Sequence, residues 1–347
     1  MTQTLATPQR ERSSRATRNR RAYFVTVLLA AVAFVLFVLT MMLGSYAVSA
    51  PDVLASMLHV RDDPSVDFIV RDLRLPTAIA GLAVGIALGI SGHLFQRVLG
   101  NPLASPDFVG ISSGASLFAV SAIVLFNASS TLISGSALFG ALLSSALIYL
   151  LAWRDGITGY RFILIGIGVS QLMISLVGYI VSHASIHEAR EAMTWLVGTV
   201  GQAGSGELRT LVVALVILVP LILALERPLR ALELGDDTAK ALGARVELHR
   251  LGLIGAAIVL IGFAVAVAGP IMFVALIAGP IAQRLVGQAA GGILAAGCVG
   301  AIITLGADLV SHQLLPVDLP TGVITGVIGA PYLIWLLVTV NKEGRGG

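Results

Sequence analysis

Charged side chains are scarce in this sequence. Asp, Glu, Lys and Arg make up 12% of the 347 residues, against roughly 25% in an ordinary soluble domain. Apolar residues make up 56%, and the mean hydropathy is +0.93. A soluble protein of this length needs a charged outer surface that so few ionised side chains cannot supply. The shortage of charge therefore excludes a soluble globular protein and predicts an integral membrane protein.

Lysine is nearly absent, since Lys240 and Lys342 are the only two in the chain. Neither follows a glycine, so the sequence lacks the phosphate-binding loop G-x-x-x-x-G-K-[ST]. The chain is therefore not expected to hydrolyse ATP by that route.

Cysteine occurs once, as Cys298 within an apolar run. A single cysteine excludes an internal disulfide and a cysteine-cluster metal site. His183, His187 and Glu191 are spaced four residues apart, so a continuous helix would place them on one face, where they could hold a metal. Such residues more often occupy the wet end of a membrane helix, and we expect no resident metal. No pairing of catalytic residues is evident, so an enzyme is not expected either.

Acidic residues are rare within the apolar runs, and Asp308 is the only one clearly inside a predicted span. A charge at mid-membrane costs about 2.5–3.5 kcal/mol on insertion scales, so Asp308 should face a partner or a wet cavity. Proton-coupled secondary transporters usually carry more buried acids than this. A self-sufficient secondary transporter is therefore the less favoured alternative.

Long apolar runs are what the sequence has in abundance. Runs of about twenty residues without alternation indicate membrane helices and not barrel strands. The pair of runs between 251 and 287 has a second interpretation, because Gly269-Pro270 and Gly279-Pro280 could interrupt the helices. We predict an all-α integral membrane protein with about ten transmembrane helices: 23–46, 76–97, 108–126, 131–153, 161–183, 209–225, 251–269, 271–287, 292–312 and 319–340.

Lys and Arg are divided unevenly between the two sides of these spans. With an even number of spans both termini share one side, which carries 17 of the 22 basic residues, against 5 on the other side. Because cytoplasmic loops carry the excess of Lys and Arg, both termini are predicted to be cytoplasmic. The chain then divides into a basic tail (1–22), a membrane domain (23–340) and a C-terminal tail (341–347). The basic tail is interpreted as an anchor for the first span, so no nucleic-acid partner is expected.

One polar segment on the predicted cytoplasmic side is residues 100–115, GNPLASPDFVGISSGA. It contains far more prolines, glycines and serines than a simple connection between spans requires. Side chains such as Asn101 and Ser105 can bond to their own turns, while Gly110 and Gly114 permit close helix approach. We interpret the loop as a structural device.

A second polar segment, residues 226–250, is called the inner segment below. Gly235 followed by two aspartates predicts the start of a short helix, and Gly243 predicts its end. A second short amphipathic piece, ARVELHR, is predicted to follow before the next span. An ordinary polar connector is the alternative interpretation, but a connector has no need of apolar residues that water would contact unless a partner covered them. These residues are Leu234, Ala239, Ala241, Leu242 and Val246.

Four stretches, in order along the chain, resemble the FecCD-type permeases, which are the membrane subunits of ABC importers for ferric siderophores, haem and vitamin B12. The resemblance covers nearly the whole length. It is carried by LRLPTAIAGLAVGIALGISGHLFQRVLGNPLASPDFVGISSGA (73–115), LGDDTAKALGARV (234–246), AGPIMFVALIAGP (268–280) and DLPTGVITGVIGAPYLIWLL (318–337).

The resemblance implies the architecture of a type II ABC importer permease in a bacterial plasma membrane. It implies a second permease subunit, identical or paralogous, and two cytoplasmic ATPase subunits that hydrolyse the ATP, so that this chain binds no cofactor itself. A periplasmic or lipid-anchored substrate-binding protein is the remaining partner. A ferric siderophore is the favoured cargo, with haem or cobalamin as the alternative.

The resemblance also implies roles for particular residues. Arg74 and His312 are expected to dock the binding protein. The inner mouth of the translocation path is expected to include Gln96, Asn101, Pro102, Ser105, Pro106, Ser112 and Ser113. Contact with the ATPase is expected from Leu234, Gly235, Asp236, Asp237, Ala239, Leu242 and Gly243.

The sequence departs from the family pattern at several positions. Gly279-Pro280 replaces the usual Pro-His, and Gln283 replaces the usual arginine. His93 occupies a position where a small residue is normal. His312 replaces an arginine, which either removes a second charged contact to the binding protein or makes that contact dependent on pH, because imidazole titrates near neutrality.

Overall fold

In the structure, a computed structural model, all the regular elements are helices, with no strand among the residues it describes. The predicted tails, 1–22 and 341–347, lie partly outside these residues. The described ranges are 8–44, 46–60, 63–107, 109–153, 159–202, 204–243, 245–287 and 292–343.

Fifteen α-helices follow one another in the described ranges, with a π-helical stretch, Phe68–Arg74, that runs into α4 and a 3-10 turn, Val200–Gln202, before α9. The α-helices are α1 (Pro8–Met42), α2 (Ala50–Met57), α3 (Pro64–Asp67), α4 (Leu75–Leu99), α5 (Ile111–Phe126), α6 (Ser130–Ala152), α7 (Gly159–Ser182), α8 (Ile186–Val197), α9 (Ser205–Ala224), α10 (Glu226–Leu232), α11 (Asp236–Ala241), α12 (Val246–Ala268), α13 (Val274–Val286), α14 (Gly292–Gln313) and α15 (Thr321–Glu343).

Each of the ten predicted spans corresponds to one of these helices. Within the described ranges, eight helical segments are long and apolar enough to cross a membrane, and α5 and α13 are shorter apolar helices. The prediction of an all-α membrane protein with about ten spans is confirmed. Below, the inner end is the end of the bundle at which α4 ends and α12 begins, and the outer end is the opposite one.

The centre of the bundle is the crossing of α4 with α14. Gly85 of α4 faces Gly300 and Ala301 of α14 so closely that an added Cβ would lie 2.5 Å from the Ala301 Cα atom. Gly89 meets the Ala296 carbonyl in the same way, at 2.2 Å. Small residues let the two backbones touch, which is how membrane helices gain packing energy without a hydrophobic driving force.

The proline-containing stretch between α12 and α13 resolves the alternative left open by the sequence. Helix α12 is continuous to Ala268, the chain is irregular over residues 269–273, and α13 begins at Val274, three residues later than predicted. Irregular backbone at membrane depth is tolerated where protein covers it. The segment that follows α8 covers this irregular stretch, because the Thr199 N–H donates to the Ala268 carbonyl at 2.7 Å and Gly198 packs on Pro270.

Candidate functional site

The inner segment folds as a small helical hairpin at the inner end. Helix α10 leads into a turn at Gly235, whose φ of 92° favours glycine, and α11 ends before Gly243 with a φ of 81°. The predicted short helix is confirmed. The predicted second amphipathic piece is wrong, because residues from Val246 onward already belong to α12 and form its first turns.

The apolar residues of the hairpin divide into two groups. Leu234 and Leu242 are 61% and 66% exposed, and Asp237 and Lys240 are exposed beside them. These four residues are called the docking surface below. Ala239, predicted as a contact residue, is fully buried. It cannot touch a partner directly, because it faces the bundle and holds α11 against it.

Two ion pairs hold the hairpin to the bundle. Asp236 accepts hydrogen bonds from Arg250 of α12 at 2.7 and 3.3 Å, and its predicted contact with the ATPase stays a prediction. Glu233 accepts from Arg97, in the last turn of α4, at 2.5 Å. Sequence reasoning missed both arginines as partners, because each is remote in the chain from its acid and no local pattern joins them.

The polar loop between α4 and α5 is stabilised mainly by its own side chains. The Leu103 N–H donates to the Asn101 side-chain oxygen at 2.9 Å, and the Ser112 hydroxyl donates to Asp107 at 2.6 Å. Ser113 donates to the Gly110 carbonyl at 3.0 Å. The prediction that side chains of this loop bond to its own turns is confirmed.

The predicted inner-mouth residues are largely enclosed within the subunit. The side chains of Gln96, Ser105, Ser112 and Ser113 are buried. Pro106 is buried as well, Asn101 is half-buried, and Pro102 is exposed. Their role in a translocation path stays a prediction.

Residues 110–114 spell Gly-x-Ser-x-Gly, which is the spacing of the nucleophile turn in many hydrolases. That turn requires a strand before the serine and a helix after it. Here Ser112 lies in the first turn of α5, after an irregular loop and not a strand, and its hydroxyl donates a hydrogen bond to Asp107. The pattern therefore has a structural explanation in this chain.

Gln96 bridges two helices at a proline. Pro280 lies inside α13 and has no N–H, so the carbonyl of Leu276, four residues earlier, loses its helical partner. The Gln96 side-chain amide donates to that carbonyl at 2.8 Å. Gly279 leaves room for the amide, since a Cβ there would lie 2.1 Å from Gln96 Oε1. Gln96 thus supplies the hydrogen bond that Pro280 removes.

We expect Gln96→Leu to destabilise the protein by about 1–3 kcal/mol, because it leaves the buried Leu276 carbonyl unpaired. Thermal unfolding in detergent measures the loss. Ser91→Ala is the matched control: Ser91 is buried in the same helix, but its hydroxyl donates to Leu88, a carbonyl of its own helix. Pro280→Ala restores the missing N–H, so Gln96→Leu should cost less in that background. An equal loss of stability from Gln96→Leu in both backgrounds would contradict the conclusion that Gln96 replaces the hydrogen bond lost at Pro280.

At the outer end, Arg74 is turned toward its own subunit. Its guanidinium donates to the carbonyls of Met41 and Met42, both at 3.0 Å, and to that of Tyr46. The carbonyls of Met41 and Met42 belong to the last two residues of α1, where helical partners run out, and that of Tyr46 follows the end of the helix. Arg74 thus ties α1 to α4, and a contact with a binding protein stays a prediction.

His312 is exposed at the outer end of α14, next to a buried acid. Its Nδ1 lies 3.0 Å from the Asp308 carbonyl oxygen and 3.5 Å from the Asp308 carboxylate. Asp308 also accepts a hydrogen bond from the Thr321 hydroxyl at 3.3 Å. The prediction that Asp308 faces a partner or a wet cavity is confirmed, because its carboxylate has these side chains as neighbours and it lines an open cavity. Arg74 and His312 line the same open cavity of about 470 Å³.

The continuous helix that would place His183, His187 and Glu191 on one face does not form. Helix α7 ends at Ser182, and α8 begins at Ile186. Ser185 caps α8 through a reciprocal capping box with Glu188, and the Ser185 N–H that donates to Glu188 lowers the pKa of that carboxyl. The spacing Ser-x-x-Glu could have predicted this break. Among the described residues, no group of three His, Cys, Asp or Glu could hold a metal ion.

Comparison with known proteins covers nearly the whole chain. The family model of the FecCD transport family matches residues 31–339. The ferric enterobactin transport system permease protein FepG of Escherichia coli is 39% identical over 94% of this chain and 98% of its own length. The achromobactin transport system permease protein CbrC of Dickeya dadantii is 37% identical over 78% of each chain.

A solved structure shares the fold. A metal-chelate type ABC transporter in an inward-facing conformation superimposes with a TM-score of 0.80 at 26% identity, over 91% of this chain and 99% of its own. The match to the enterobactin permease and this structural match each cover more than nine-tenths of the chain. The chain therefore belongs to the FecCD transport family.

Proposed function

We propose that the chain is the permease subunit of an ABC importer that carries a ferric siderophore into the cell. The observation that carries the proposal is the 39% identity, over 98% of its length, to a permease named for ferric enterobactin transport. The achromobactin permease supports the same cargo class. A metal-chelate type transporter as structural neighbour agrees with it.

The energy comes from two separate ATPase subunits. The chain has no phosphate-binding loop, and its inner segment presents Leu234 and Leu242 to water. Exposed leucines on a short, rigid hairpin are the kind of surface that a partner buries. Asp237 and Lys240 provide polar contacts beside them. We assign the docking surface to the ATPase subunit.

The second permease subunit faces α7 in this proposal. Within that apolar helix, Gln171 and Ser175 are exposed, and added Cβ atoms at Gly168 and Gly178 would meet nothing within 4 Å. Polar and small residues on one face of a span are unfavourable toward lipid and suit a helix partner or a wet path. An identical subunit and a paralogue could each cover this face of α7.

The cargo needs no metal ligands from the permease, since iron remains inside its chelate. No cofactor is required of this chain, and the binding protein is proposed to dock at the outer end, where His312 is exposed. The 17 basic residues on the side of both termini, against 5 opposite, support cytoplasmic termini in a bacterial plasma membrane.

Uptake by cells tests the cargo. A strain lacking its own permeases and expressing this chain with its partners is supplied with radioactive iron as ferric enterobactin or ferric achromobactin, and separately with labelled hemin and cobalamin. We expect saturable uptake of at least one ferric siderophore and none of the other two. Uptake of hemin or cobalamin without uptake of either ferric siderophore would contradict the proposed cargo.

A further inference from the structure

The turn between α10 and α11 is fastened on both sides of Gly235. Glu233, two residues before the glycine, pairs with Arg97 at 2.5 Å, and Asp236, one residue after it, pairs with Arg250 at 2.7 Å. The two arginines belong to different spans, α4 and α12. One turn of the inner segment is therefore tied to two helices of the bundle.

Burial distinguishes these pairs from ordinary surface ion pairs. The side chains of Arg97 and Arg250 are only 12% and 11% exposed. A mostly buried cation that loses its only acid partner is left uncompensated, whereas an exposed pair contributes little. This applies most strongly to Arg97, because Arg250 also lies 3.6 Å from Glu247 in its own helix. Helix α10 contains such an exposed pair, Glu226 with Arg230, whose arginine is half-exposed and whose contact stays within one helix.

The arginines occupy positions from which movement can spread. Arg97 is in the same turn of α4 as Gln96, which holds the Leu276 carbonyl of α13. Arg250 lies in the second turn of α12. Leu229 and Leu232 of α10 are buried in the main hydrophobic core, so α10 packs against the bundle. A displacement of the docking surface therefore reaches α4, α12 and α13 through contacts at the turn.

We propose that Glu233–Arg97 and Asp236–Arg250 are positioning pairs that transmit movement of the ATPase to the spans. This inference rests on the proposed function, since it needs a partner that moves the inner segment. The pairs do not contact cargo or nucleotide. Their removal should uncouple ATP hydrolysis from import, while the subunits still assemble.

Charge reversal tests the proposal in the complete importer, reconstituted in proteoliposomes with its ATPase and binding-protein partners. Arg97→Glu and Glu233→Arg should each lower the number of cargo molecules imported per ATP hydrolysed by about tenfold, and the double variant should recover to within about threefold of wild type. The ATPase should copurify with all of them. A purely structural pair would change assembly or yield and leave this ratio intact.

Glu226→Arg and Arg230→Glu are the matched controls, since they reverse charges of the same types in α10, outside the docking surface. Both variants should import as many cargo molecules per ATP hydrolysed as the wild type. Normal coupling in Arg97→Glu, or a double variant that assembles but does not recover, would overturn the proposal. If Arg97→Glu fails to reach the membrane, Glu233→Gln takes its place at the more exposed partner, and unchanged coupling there overturns the proposal equally.

The outcomes separate this inference from the proposed function. A wild-type complex that does not copurify with an ATPase, or that imports without ATP, contradicts the proposed function. If the wild-type complex imports with ATP and the charge-reversed variants import as many cargo molecules per ATP, only the role of the positioning pairs is contradicted.

Discussion

Replacing Gly85 or Gly300 with valine should prevent the chain from accumulating as a folded membrane protein. A Cβ at Gly85 would lie 2.6 Å from the Gly300 carbonyl oxygen, and one at Gly300 would lie 2.1 Å from the Gly85 carbonyl oxygen. Both neighbours are backbone atoms of packed helices and cannot rotate away. We expect a cost of at least about 3 kcal/mol at each site, the upper end of the usual overpacking range, a large part of total stability.

Membrane abundance and thermal unfolding in detergent measure this effect. Gly255→Val is the matched control, because Gly255 lies within α12 and an added Cβ there meets nothing within 4 Å. Valine is no worse than glycine as a helix former, so the control should unfold near the wild-type temperature. A Gly85→Val protein as abundant and as stable as the control would show that the α4–α14 crossing is not the centre of the fold.

The second large effect is expected at the docking surface. Leu234→Asp combined with Leu242→Asp should abolish ATPase binding and import, while the permease stays folded in the membrane. Each leucine is mostly exposed in the free subunit and would contribute about 1.5–3 kcal/mol on burial by a partner. Losing both contacts corresponds to at least about a hundredfold in affinity. Copurification of the ATPase and uptake of labelled cargo measure the two consequences.

Leu58→Asp is the control for this pair. Leu58 is as exposed as Leu242 but lies at the C-terminal cap of α2, at the outer end. Copurification of the ATPase should be unaffected by that change. ATPase that copurifies at the wild-type ratio with the Leu234→Asp, Leu242→Asp protein would mean that the partner binds elsewhere.

Local patterns in the sequence were sufficient to predict much of the fold. Apolar runs located every span, and the glycines around Asp236 and Asp237 located α11. The errors arose where local signals compete. A capping serine at 185 ended the helical spacing from His183 to Glu191, and the amphipathic residues after Val246 extended α12 and did not form a separate helix.

The candidate site was harder to predict, because its contacts join residues that are far apart in the chain. Pro280 indicates an unpaired Leu276 carbonyl, but its donor, Gln96, is 180 residues away from Leu276. In the same way, nothing near Asp236 indicates that its carboxylate pairs with Arg250 of α12. Burial of Ala239 follows from packing of the whole hairpin, which one sequence does not specify.

Reconstitution of the purified chain in liposomes tests most directly whether it is a passive gate that other subunits move. With labelled ferric siderophore outside, the chain alone should show no accumulation above the external concentration, with or without ATP. Addition of the ATPase subunits, the partner permease, the binding protein and ATP should produce accumulation. Concentrative uptake by the chain alone would contradict the account.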